Sequence, residues 1–248
     1  RIEEDYLRII RFIRFKIIYN FKMERTTINA IKLNLTGIKK ISKERILVEL
    51  YKILDLNNFL NLNENTELKE IFSLIFPEFK NLNRLKRLIK ICDNFQVNRN
   101  LLLAILLIDD DDTHEYFSHK YNISNDIKES LNSFAKNFKL IRENKDFFNK
   151  DLEKNIYLND KDHLINLNIL HYIINPKLKY QDFSENLKKI LKSKTHKLTI
   201  DGRYLIKNGM KQGSAVGKVL KEIEVEWLKN NFQISKDRVK EIIQIHSN

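Results

Sequence analysis

The chain has 248 residues, with five Gly, two Pro and one Cys, which is enough for a sizeable core and one to three small domains. Forty-five Lys and Arg against thirty-three Asp and Glu leave a net charge of +12, favouring an anionic partner, nucleic acid ahead of a membrane surface. The lone Cys92 excludes an intramolecular disulfide and any multi-cysteine metal site. The longest apolar run, Leu101 to Ile108, is eight residues, well short of the roughly twenty that cross a bilayer. No signal peptide is expected, and a reducing cytosol is the expected compartment. The basic charge reads as spread along the chain rather than packed into one run. Leu, Ile, Lys, Asn and Glu dominate while Gly and Pro are scarce, which predicts an all-α fold, an array of short helices with no sheet.

The first fifteen residues read RIEEDYLRIIRFIRF. Leu7, Ile9, Ile10, Phe12, Ile13 and Phe15 supply enough apolar surface to set this stretch as a helix in a core. Arg8, Arg11 and Arg14 recur every third residue behind Glu4 and Asp5, an acid-first order that suits the helix dipole. Asp5 and Arg8 are three apart and Glu4 and Arg8 four apart, so each pair would share a face. A guanidinium fork held near a carboxylate can read a base edge or hold a phosphate; the plainer alternative is an amphipathic helix whose paired arginines reach to water. A second helix is expected through about Asn34. Ser42 is a candidate N-cap for a third, with Ile46, Leu50, Ile53 and Leu54 as its buried stripe and Glu44, Arg45 and Glu49 as a paired surface.

From Leu60 to Leu191 helical segments alternate with Asn- and Asp-rich breaks, and Pro77 ends one of them. Asp109 to Asp112 read as a solvated loop rather than a metal site, because two-metal chemistry needs carboxylates at fixed separation. The six histidines have no metal-ligand spacing, and Cys92 reads as a core thiol.

Four of the five glycines lie between 202 and 217. A short helix from Asp201 is expected to end at Gly209 in a left-handed cap. Gly213 and Ser214 would start another, with Val216, Val219, Leu220, Ile223 and Trp227 facing inward and Gly217 letting the two helices approach closely. Backbone N–H groups at such a helix start form a ready phosphate site, with Lys211 and Lys218 beside it; a plain helix–helix turn is the alternative.

Glu4-Asp5-x-x-Arg8-x-x-Arg11-x-x-Arg14-Phe15 resembles the nucleotide-selecting motif of class II tRNA nucleotidyltransferases, the CCA-adding enzymes and the related bacterial poly(A) polymerases. Ser42-Lys-Glu-Arg45-Ile-Leu-Val-Glu49-Leu resembles the helix that braces that motif, which implies supporting roles for Glu44, Arg45 and Glu49. Phe76-Pro-Glu-Phe-Lys-Asn-Leu82-x-Arg84-Leu85 is similar to a passage of the alphaproteobacterial members. The stretch from Leu198 to Ile223 resembles the family's tail, with Tyr204 replacing the usual Asp and Ser214 the usual Pro.

The resemblance implies a neck over residues 1–59, a helical body over 60–195 and a tRNA-binding tail over 196–248. Asp5 and Arg8 would pair with the Watson–Crick edge of CTP or ATP, with Glu4, Arg11 and Arg14 around the same pocket. Lys211, Gly213, Ser214 and Lys218 would meet the tRNA. No catalytic or metal-binding residue is expected here. The chain starts inside a motif without an initiator Met, as a fragment would. The family's catalytic head, which binds Mg2+, would come in cis or from a separate chain. A poly(A) polymerase, or a non-catalytic helical RNA-binding protein, are the alternatives.

Overall fold

The structure, a computed structural model, describes residues 2–92 and 95–247. Arg1, the first residue of the opening stretch, and Asn248, the last of the expected tail, lie outside them. The described residues form fourteen α-helices and three short 3-10 helices, with no strand, so the all-α expectation holds. The chain divides into two compact units, Arg1–Lys145 with Ile165–Asn186 and Asp146–Leu164 with Leu187–Asn248.

In the first unit, α1 (Leu7–Tyr19) buries Leu7, Ile9, Ile10, Ile13 and Ile17, a stripe at helical spacing worth about 1.5–3 kcal/mol per fully buried side chain. The helix begins at Leu7, later than the acid-first reading required. Asp5 stands just outside it and accepts the Leu7 N–H at 3.1 Å, because a short carboxylate satisfies the free N–H groups of a helix start better than it continues the helix. Asn20, left-handed at φ 47°, ends α1 and returns its N–H to Lys16.

Helix α2 (Arg25–Asn34) leads through a 3-10 stretch, Leu35–Lys40, to α3 (Lys43–Leu54). Ser42 caps α3 by accepting the Arg45 N–H at 3.4 Å, and Ile46, Leu50, Ile53 and Leu54 are buried as expected. In the 3-10 stretch Gly37 lies under the ring of Tyr6: a Cβ there would sit 2.1 Å from two ring carbons. Gly37→Ala should therefore push Tyr6 aside and cost about 1–3 kcal/mol by overpacking. Urea denaturation of the variant tests this; an unchanged midpoint would mean that the ring yields freely.

Next come α4 (Thr66–Ile75), α5 (Leu85–Cys92), α6 (Arg99–Leu107), α7 (Thr113–Tyr121) and α8 (Asn125–Glu143). Every residue of α6 from Leu101 to Leu107 is buried, and Phe72 joins Phe59, Phe76 and Phe79 at ring separations of 5.0 to 5.7 Å. The passage after Pro77 seals the end of α6. Arg84 donates to the carbonyls of Ile105 and Ile108 at 2.7 and 2.8 Å, and buried Glu78 pairs with Lys120 at 2.8 Å. The acidic run serves structure as well: Asp109 accepts the Thr113 N–H and hydroxyl at 3.1 and 2.7 Å, opening α7. Cys92 departs from the core-thiol expectation, since it is only half-buried at the end of α5.

Of the remaining helices, α9 (Leu152–Asn159) belongs to the second unit, and the division between units falls within α10 (Lys161–Ile174) and α11 (Tyr180–Lys192). The second unit also holds α12 (Gly202–Lys207), α13 (Ser214–Lys229) and α14 (Lys236–Ser247). Leu205, Met210, Val219, Ile223, Val239, Ile242 and Ile243 form its core, with Val216 and Leu220 packed against them. Arg238 of α14 grips the Glu226 carboxylate of α13 through Nε at 2.9 Å and a terminal nitrogen at 3.1 Å, a two-pronged bond that ties the two helices together.

Candidate functional site

The candidate face of the first unit lies where the residues around the start of α1 meet α3. Arg45 and Glu49 are one helical turn apart on α3 and so point the same way. Arg45 reaches both Asp5 carboxylate oxygens at 3.3 Å. Glu49, with a side chain only 3% exposed, meets Arg14 at 3.2 Å, Arg11 at 3.5 Å and Lys52 at 3.0 Å. The Arg14 contact is a charge contact without an aligned hydrogen bond, since neither Arg14 Nε nor Glu49 Oε2 has a hydrogen-bond partner. Three cations around one buried carboxylate leave this face with excess positive charge.

Arg8 does not take Asp5 as its partner, as the shared-face reading implied. Its guanidinium binds Glu4 at 2.7 Å, and that hydrogen bond holds the Glu4 carboxyl below its usual range. The difference follows from the late helix start: with Asp5 outside α1, the spacing of three does not place it on the face of Arg8. Asp5 and Arg45 remain partly open to solvent, their side chains 30% and 54% exposed, so an incoming ligand can exchange with Arg45 at the Asp5 carboxylate. Arg8 and Arg11 are each nearly half-exposed, whereas Arg14 is mostly covered. The structure thus gathers Arg11 and Arg14 at Glu49, leaves Asp5 with Arg45, and sets Arg8 with Glu4. Tyr6 on Gly37, with Lys40 over the Tyr6 ring at 5.6 Å, fixes the backbone beside Asp5. Sequence reasoning missed this contact; one of few glycines standing 31 residues away was the only signal.

In the second unit, Asp201 caps α12 by accepting the Tyr204 N–H at 2.8 Å. The helix closes before Gly209, whose φ of 107° suits glycine. Gly213 and Ser214 open α13 and both are exposed, as are Lys211 and Lys218. Gly217 corrects the close-approach expectation: a Cβ there would meet nothing within 4 Å. Gly202 holds that place, its Cβ position lying 3.3 Å from Val216.

Charge also departs from the even spread read over the whole chain. Between residues 188 and 221 stand ten Lys and Arg and a single acidic residue, Asp201, so this window carries +9 of the net +12. All ten cations are exposed. A windowed count would have revealed it where the whole-chain average did not. Among the described residues no cluster of three or more His, Cys, Asp or Glu could hold a metal ion, and no helix is long and apolar enough to cross a membrane.

Comparison with known proteins bears on both regions. Residues 20–82 match the family described as "Probable RNA and SrmB- binding site of polymerase A". A CCA-adding enzyme of Lactobacillus helveticus is 28% identical over 258 residues, covering 98% of this chain and 60% of its own. The human mitochondrial CCA tRNA nucleotidyltransferase 1 is 27% identical over 252 residues, covering 96% and 55%. A solved structure, a CCA-adding enzyme in complex with CTP, superposes with a TM-score of 0.58 at 22% identity over 98% of this chain and 59% of that one; a complex with ATP gives 0.57 at 23%. The chain therefore spans less than two thirds of the length of these relatives.

Proposed function

We infer that this chain, which belongs to the family of CCA-adding enzymes and poly(A) polymerases, is the nucleotide-selecting and RNA-holding portion of a tRNA nucleotidyltransferase that adds 3′-CCA. The observation that carries the reading is the braced motif: Arg45 on Asp5, and buried Glu49 on Arg11 and Arg14. An acceptor-rich carboxylate beside exposed guanidinium forks offers the donor and acceptor pattern that the base edges of CTP and ATP require. In this reading Asp5 and Arg8 meet the base, with Arg45 giving way at Asp5. Glu4 releases or steers Arg8, while Arg11 and Arg14, held by Glu49, keep the pocket's positive charge in place.

The neck over 1–59 selects the nucleotide, the body over 60–195 supports it, and the tail over 196–248 grips tRNA. Phosphates would lie at the exposed start of α13, on Gly213 and Ser214, with Lys211 and Lys218 beside them. The attack of the tRNA 3′-hydroxyl on the nucleotide belongs to a catalytic head, in cis or on another chain. Mg2+ would be bound there, and none of the roles given to this chain's residues passes through it.

Binding of labelled tRNA over a salt series tests the tail. Lys211→Gln and Lys218→Gln should each weaken binding and flatten the dependence of log affinity on log salt by about one unit. Unchanged slopes in both variants would remove the hairpin from the RNA interface. A poly(A) polymerase is the second reading, favoured by the polymerase A family match over residues 20–82; incorporation of CTP separates the two.

A further inference from the structure

The second unit carries an aromatic cavity that neither the motif nor the hairpin uses. His196 and Phe232 stack with ring centroids 3.7 Å apart and planes within 5°. Trp227 stands edge-on to Phe232 at 4.9 Å, and Tyr157 meets Trp227 at 5.1 Å. A cavity of about 490 Å³ opens beside the stack, its wall continuing through Tyr204, Lys197 and Lys236. That volume falls within the range of small-ligand pockets.

The backbone that presents Phe232 is unusual. Asn231 and Phe232 both have positive φ, 51° and 62°. A bulky residue there is a genuine outlier, and such strain collects at ligand-binding sites. The turn is held by the Phe232 N–H donating to the Trp227 carbonyl at 2.8 Å. His196 is fixed from its other edge by Glu153, whose carboxylate lies 2.6 Å from Nε2. Both members of the stack are thus held in place before any ligand arrives.

The flat rings call for a flat apolar ligand, and the setting calls for an anionic one, since Lys197 belongs to the window that carries +9. An unpaired nucleotide within an RNA strand has both properties. A paired nucleotide buries its base in the duplex and offers chiefly backbone. We propose that this cavity is a base-stacking subsite for an unpaired RNA nucleotide, its base on the His196–Phe232 pair and its flanking phosphates at Lys197 and Lys236. The proposal deepens the tail's RNA-binding role and rests on that reading.

Trp227 is the only tryptophan of the chain, so its fluorescence reports on this cavity alone. The full chain is titrated with a single-stranded oligoadenylate and with a blunt RNA duplex of equal length. Oligoadenylate should quench Trp227, and Phe232→Ala should weaken its binding about tenfold, with Phe232→Tyr restoring it and duplex affinity the same in all three. Lys197→Gln combined with Lys236→Gln, both surface changes, should weaken oligoadenylate binding too; they and the quench decide the matter if circular dichroism shows Phe232→Ala unfolded. Equal oligoadenylate affinity in native and variant chains overturns the subsite, as does binding without quenching, or quenching by an acidic peptide in place of RNA. If duplex and tRNA still bind through Lys211 and Lys218, only the subsite has failed. If no RNA binds at all, the tail reading has failed with it.

Discussion

Glu49→Ala should destabilise the first unit by about 3 kcal/mol or more, the effect of stripping one partner from a buried ion pair. Glu49 is almost fully covered, and Arg14 is 18% exposed, so removing the carboxylate leaves a largely desolvated guanidinium beside two further cations, Arg11 and Lys52. Those partners are nearly half-exposed and can turn to water, which places the cost at the lower end of the range. Glu49→Gln should lose less, because the amide oxygen still accepts a hydrogen bond while the charge is gone. Adding Arg14→Ala to Glu49→Ala should recover part of the loss, since the pair is coupled. Urea denaturation of the native protein, these three variants and Arg14→Ala alone measures this. Single and double variants that simply add would show that Glu49 does not hold Arg14.

Asp5→Ala, in a protein that carries the catalytic head, should reduce the preference for CTP and ATP over UTP and GTP by about 10- to 100-fold, the equivalent of one or two hydrogen bonds to a charged group. Stability should hardly change, because the Asp5–Arg45 pair is open to solvent and exposed pairs contribute little. That separation distinguishes Asp5 from Glu49: one variant changes selection without stability, the other stability first. Arg45→Ala should give a smaller loss of selection than Asp5→Ala, because it removes the brace and leaves the carboxylate. Competition between nucleotides in single-turnover incorporation reads both. Undiminished discrimination in Asp5→Ala would take base reading away from this carboxylate.

The buried stripe of α3 was legible because apolar spacing at three and four residues leaves a helix only one way to hide it, whereas the apolar set read for α1 also held Phe15, which the structure leaves exposed. The start of α1 was not. The same acidic residues that suit a first helical turn also suit the position just before it, and only the bond from Asp5 to the Leu7 N–H decides between them. Supporting roles for Arg45 and Glu49 were implied by the resemblance of their helix to the family's bracing helix, yet their assignment, Arg45 to Asp5 and Glu49 to Arg11 and Arg14, depends on how α3 is rotated against α1. Gly217 and Gly202 were exchanged for a similar reason: which glycine faces a neighbouring helix is a matter of rotation, and spacing alone does not state it. The turn that lifts Phe232 onto His196 was not legible, since Asn231 tolerates a positive φ but nothing in the local sequence favours one at the bulky Phe232 that follows it.

The central claim, that this chain selects nucleotides for 3′-CCA addition, is tested most directly by the RNA ends it makes. A tRNA lacking its terminal CCA is incubated with a protein that joins this chain to a catalytic head, CTP and ATP together, and the 3′ ends are sequenced. Two cytidines followed by a single adenosine are the predicted result. Runs of adenosine with no cytidine would contradict it and make the chain part of a poly(A) polymerase.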